Sequence, residues 1–152
     1  MRSCVISICV LHGGSLNAVL RKYDKGERRT KHVSSSPVAE FRSSGGNPNR
    51  LIGKCPAGMS ASLLNKLVNE AIPVANAQPN LAFHKKIYVV HEGVVYEAQS
   101  SDQGTSYHGY PFSGRLPSAV ITELEAMAVR KNCLKDVKDW MKKYVKAHGR
   151  KL

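Results

Sequence analysis

The chain has 152 residues, with 23 Lys and Arg against 11 Asp and Glu, a formal charge of +12 and a sequence pI near 9.8. That length suits one core with an extension and excludes a large multidomain enzyme. With 42% hydrophobic residues the chain can bury a core, and its charge favours anionic partners.

The charge is uneven along the chain. Residues 1–54 hold ten cations against three acids, residues 55–116 four against four, and residues 117–152 nine against four. A neutral centre between two basic ends predicts binding at the ends and chemistry in the middle.

Residues 1–23 are predicted as a strand and a short helix. The run Cys4–Leu11 after Met1-Arg2 looks superficially like a secretory leader, but His12-Gly13-Gly14 follow it where a small-residue cleavage site belongs. The run therefore reads as a buried strand, with a short helix over Ser15–Tyr23. Residues 24–52 read as a flexible basic linker. Between Asp24 and Arg50 only Val33, Val38, Ala39 and Phe41 are apolar, too few to offset the entropy of ordering.

A compact α+β domain is expected over residues 53–150. Ser60 is placed to cap a helix whose Leu63, Leu64, Leu67, Val68, Ala71 and Ile72 share one face and which Pro73 ends. Lys86–His91 and Val94–Ala98 read as a hairpin around Glu92-Gly93, with His91 opposite Val94, Val89 opposite Tyr96 and Ile87 opposite Ala98. Tyr88, Val90, Val95 and Glu97 then share the second face. A long loop is expected from Ser100 to Arg115. Pro117 and Ser118 open a second helix, and a third runs from about Cys133 to His148, with Leu134, Val137, Trp140, Met141, Tyr144 and Val145 opposite Lys135, Lys138, Lys142 and Lys146. The fold class is thus α+β: a hairpin or antiparallel sheet packed by about three helices, preceded by a flexible basic segment.

The four cysteines, Cys4, Cys9, Cys55 and Cys133, are scattered without zinc spacing, which favours reduced, packed thiols in a cytoplasmic setting. Cys55, just ahead of a helix, has a second reading as a thiol activated by the helix dipole. No apolar run reaches the length of a membrane span. No cofactor or metal site is expected.

The segment GTSYHGYPFSGR concentrates glycines, hydroxyls, His108 and Arg115, a set compatible with phosphate although it fits neither glycine-rich nucleotide fingerprint. Metal-independent RNA cleavage needs a base for the 2′-hydroxyl, an acid for the leaving 5′-oxygen and a cation over the phosphate. His91 or Glu97 as base, His108 as acid and Arg115 as clamp meet that requirement, and His84 lies close enough in sequence to join them. Arg28, Arg29, Lys31, Lys135, Lys138, Lys142 and Lys146 are the candidate phosphate contacts, with Tyr107 and Tyr110 stacking on unpaired bases. The turn between the last two helices is too short for a helix-turn-helix.

The expected function is a small basic nucleic-acid-binding protein, RNA in preference to duplex DNA, with a metal-independent ribonuclease activity of toxin or defence type. The alternative is a non-catalytic protein–protein interaction module whose charge serves encounter rate.

Overall fold

The computed structural model describes residues 20–25, 32–77 and 80–147, with the side chains of 146 and 147 excepted. The strand expected at Cys4–Leu11 lies outside the described residues. So does most of the helix expected over Ser15–Tyr23, whose last two residues instead form strand β1 (Lys22–Tyr23).

The described chain is α+β. Strands β2 (Glu40–Ser44) and β3 (Asn47–Lys54) precede helix α1 (Ala61–Glu70) and strand β4 (Ile72–Pro73). Strands β5 (Lys86–His91), β6 (Val94–Gln99), β7 (Ser106–Pro111) and β8 (Gly114–Leu116) follow, then helices α2 (Ser118–Arg130) and α3 (Leu134–Tyr144) and strand β9 (Val145–Ala147). A five-stranded sheet has the order β1-β7-β6-β5-β4, with β1 parallel to β7 and the other pairs antiparallel. β2 pairs antiparallel with β3, and β8 parallel with β9.

The central hairpin adopts the register that its alternation predicts, His91 to Val94, Val89 to Tyr96 and Ile87 to Ala98. Its two-residue turn requires positive φ at both positions, and Glu92 (47°) and Gly93 (77°) supply it. Ile87, Val90, Val95, Leu116, Leu124 and Val137 are essentially inaccessible and make the centre of the core. Helix α1 starts where Ser60 accepts a bond from the Leu63 amide. At its other end Arg21 donates to the carbonyls of Val68 (3.1 Å) and Ala71 (2.9 Å), filling acceptors that the last turn leaves open. Asn69 and Asn65 accept from the amides of Arg21 and Tyr23, so β1 is clamped between α1 and β7.

Four stretches depart from the sequence expectations. The helix expected to run to Pro73 ends at Glu70, because Ala71 is extended and Ile72-Pro73 pair with β5 as β4. The loop expected from Ser100 to Arg115 contains β7 and β8, because β6 offers an unpaired edge on which Gln99 aligns with His108 and Glu97 with Tyr110. The helix expected to reach His148 stops at Tyr144, because Val145 is buried and its segment pairs with β8. The segment expected as linker over residues 24–52 includes β2 and most of β3. Their turn is Gly45-Gly46, with φ of 57° and 79°. The arm is held by contacts distant in sequence, with Phe41 packed on Trp140 and Tyr144 (ring centroids 5.4 and 4.6 Å) and Gly53 lying on the Pro111 backbone.

A Cβ at Gly53 would overlap the Pro111 carbonyl oxygen, which belongs to rigid backbone. Gly53→Ala should therefore lift the arm from the sheet. The expected readout is a red shift of Trp140 emission, the single tryptophan of the chain, with little change in far-ultraviolet circular dichroism. Unchanged emission together with unchanged stability would contradict this docking.

Candidate functional site

Strand alternation and the observed register put two polar rungs of side chains on one face of the sheet. Lys86, Gln99 and His108 form one rung, Tyr88, Glu97 and Tyr110 the next, and Val90 and Val95 continue the face as apolar core. Glu97 is only 3% exposed and is surrounded by donors. Tyr88 donates to its Oε2 (2.5 Å), Tyr110 to its Oε1 (2.5 Å), Gln99 to Oε1 (2.7 Å), and the Lys86 ammonium stands 3.5 Å from Oε2. A buried carboxylate is tolerated only when its lone pairs are met in this way. Burial first, and the bonds to Glu97 second, push both phenols well above their ordinary range, so they remain protonated donors.

The arm brings a second imidazole to this face. His32 Nδ1 donates to the Gly53 carbonyl (2.8 Å) and His108 Nδ1 to the Asp24 carbonyl (3.2 Å). A carbonyl only accepts, so each ring carries a proton on Nδ1, and the Nε2 of His108 is buried. The ring centroids are 5.2 Å apart, and His32 stacks on Tyr110 at 5.0 Å and 22°. His32 lines two clefts. One, of about 430 Å³, is bounded by Tyr23, Lys25, Val33, Cys55, Met59 and His108 among others. The other, of about 460 Å³, runs between the arm (Arg50, Ile52, Gly53) and the sheet (Lys86, Glu97, Tyr110).

The residues singled out from sequence are only partly brought together. Glu97, His108 and Tyr110 share the polar face. His91 does not join them. It lies on the opposite face, and its partner Val94 is five residues along β6 from Gln99, the partner of His108, about 16 Å of strand. Burial lowers the His91 imidazole below its ordinary value, against the smaller opposing pull of Glu92. Arg115 is exposed in β8 and lines neither cleft. His84 is exposed, and its carbonyl accepts the Tyr107 hydroxyl at 2.7 Å. That bond and an exposure of 2% leave Tyr107 no face for a base, a correction to its assignment as a stacking platform. Lys135, Lys138 and Lys142 are exposed on α3, whereas Lys146 belongs to β9. Arg28, Arg29 and Lys31 lie outside the described residues.

Cys55 is not the activated thiol that a helix dipole would make. Burial dominates and pushes its pKa to about 11. Cys55 and Cys133 are free thiols. Among the described residues no group of three or more His, Cys, Asp and Glu side chains is arranged to hold a metal ion, and no helix is long and apolar enough to cross a membrane.

Sequence reasoning missed His32, Arg50, Lys86, Tyr88 and Gln99. Tyr88 was within reach, because the predicted hairpin register sets it directly across from Glu97. His32 carries no such signal, since its position depends on the arm folding back over β7.

No protein-family model matches this chain, and searches of curated proteins and of solved structures likewise gave no match.

Phenols held above their ordinary value near 10 keep their protons in the folded chain at a pH where the unfolded chain loses them. Their contribution to stability is complete below about pH 10 and declines as pH rises further. Tyr88→Phe should cost about 1–3 kcal/mol near neutrality by leaving Glu97 one donor short. It should also flatten the alkaline loss of stability by up to about 1.4 kcal/mol per pH unit, read from denaturant midpoints across pH 9–12. A parallel stability profile for the two proteins would refute the assignment.

With its pKa near 11, only about one in a thousand Cys55 thiols is ionised at pH 8. Alkylation of Cys55 by iodoacetamide, followed by peptide mass analysis, should be slow in the folded chain and fast in denaturant. Rapid labelling of the folded chain would mean that the dipole outweighs burial.

Proposed function

We propose that this chain binds single-stranded RNA across the groove between the arm and the sheet and cleaves it without a metal ion. The observation that carries the reading is the place of His32, which lines that groove with Tyr110, Glu97, Lys86 and Arg50 and whose ring lies 5.2 Å from that of His108 in the adjoining cleft, 76 residues away in sequence. Lys86 and Arg50 supply positive charge where a phosphate would lie, and the chain's excess of twelve positive charges draws the strand in.

In this reading His32 Nε2 takes the proton from the ribose 2′-hydroxyl, and the resulting oxygen attacks the adjacent phosphorus. The bond to the 5′-oxygen breaks, and the Lys86 ammonium in the groove, not the buried His108 ring read from sequence as the acid, returns a proton to that oxygen. The products are a 2′,3′-cyclic phosphate and a 5′-hydroxyl. Lys86 and Arg50 stabilise the charge that develops on the phosphoryl oxygens. Glu97 already receives four donors, so it orients Tyr110 and Lys86 instead of serving as the base. Arg115 and His91, the clamp and the alternative base read from sequence, are replaced in these roles by Lys86 with Arg50 and by His32.

A second reading, a protein-docking module, draws on Val38 (62% exposed) and Leu51 (48%) at the arm's surface. The first experiment separates the two. If about three phosphates are neutralised, affinity for a mixed-sequence RNA should fall roughly 20-fold between 50 and 200 mM salt. Undetectable or salt-independent affinity would transfer support to protein docking. Cleavage in excess chelator should fall by about 10²–10⁴ in His32→Ala, with its melting temperature used to check folding. Equal rates for the two proteins would remove His32 from the chemistry, and the absence of cleavage by the unaltered protein would reduce the reading to RNA binding alone.

A further inference from the structure

We infer that the cleft of about 430 Å³ on the far side of His32 is a nucleobase pocket, seating the base next to the phosphate that the groove holds. This inference rests on the RNA-binding reading above and adds to it the part of the strand that the second cleft recognises.

The lining has two chemistries. Val33, Pro56, Met59 and Leu64 are apolar, while Tyr23, His32 and His108 present ring edges and faces. Flat aromatic ligands suit such a wall, because rings stack on rings and on the polarisable Met59 sulfur, while imidazole and phenol edges meet the heteroatoms of a base. The volume lies within the range of pockets that enclose small organic ligands.

Charge points the same way. Among the described lining residues Lys25 is a cation, two are histidines and none is acidic, so none of them repels a ligand bearing a phosphate. A ligand that is apolar throughout would leave this polar end unused.

Position ties the pocket to the groove. His32 belongs to both linings, and its ring lies 5.2 Å from His108 on the pocket side and 5.0 Å from Tyr110 on the groove side. A nucleotide straddling His32 therefore has its base against Met59 and Tyr23 and its phosphate toward Lys86 and Arg50. The base would position the ribose hydroxyl beside the imidazole pair, so base affinity would serve orientation as well as binding.

Val33 is 63% exposed at the edge of the pocket and joins the fold through a backbone bridge to Cys55, so its side chain can be enlarged without disturbing the core. The probes are AMP, GMP, CMP, UMP and inorganic phosphate, each titrated into the full chain and into Val33→Trp by nuclear magnetic resonance. At least one nucleotide should bind tenfold or more tightly than phosphate. Val33→Trp should weaken that nucleotide at least fivefold and leave phosphate affinity unchanged. Four nucleotides no tighter than phosphate, an unaffected variant, or equal weakening of nucleotide and phosphate would each overturn the pocket.

Photo-crosslinking of the unaltered chain to 8-azido-AMP gives a second measurement that needs no substitution. Adducts at Tyr23 or within residues 55–59 support the pocket, and adducts confined to other segments overturn it. The two levels of the argument fail separately. RNA binding with no contribution from the base removes the pocket alone, whereas nucleotide binding without affinity for RNA removes the strand reading alone.

Discussion

The polar face of this protein depends on one buried carboxylate. Glu97 sits mid-strand in the central sheet, where desolvation of a charge costs several kcal/mol unless the surroundings supply donors. The surroundings do so from both neighbouring strands, through Tyr88 on one side and Tyr110 on the other, with Gln99 and Lys86 completing the set. This constraint sets register. A slip of one residue between β6 and either neighbour would carry the phenols to the opposite face and strand the carboxylate. The same network that orders the sheet therefore holds Tyr110 where His32 can stack on it.

The arm completes what the sheet begins. Its strands bury little of their own surface, and their attachment comes from Phe41 against Trp140 and Tyr144, and from the close passage of Gly53 over Pro111. That attachment carries His32 to His108 and turns an open sheet face into two clefts separated by one imidazole. Stability and site geometry are coupled here, because the contacts that dock the arm also build the wall of the groove.

Much of the fold was legible in local pattern. The Ser60 cap, the Leu64, Leu67 and Val68 part of the apolar stripe of α1 and the Glu92-Gly93 turn rest on interactions within a few residues, and the structure matches each of them, whereas Ile72 leaves the helix for β4. The strand at 106–111 was hidden because glycine, proline and hydroxyl residues read as loop, and its pairing is decided by the free edge of β6. The end of α3 was misjudged for a related reason, since Val145 continues the helical stripe yet gains more by pairing with β8 and burying its side chain. Of the candidate site, Glu97, His108 and Tyr110 could be read from residue type and hairpin register. His91 could not be rejected without knowing which end of the sheet His108 would occupy.

The sequence by itself determined the α+β class, the uneven charge and the alternation that puts Tyr88 beside Glu97, because these follow from composition and from periods of 2 and 3.6 residues. Only the tertiary structure decided that His32 faces His108, that Tyr107 is buried and that Lys86 and Arg50, not Arg115, flank the groove. Those outcomes depend on chain segments far apart in sequence, whose approach is set by shape and burial over the whole core and leaves no mark on the local pattern.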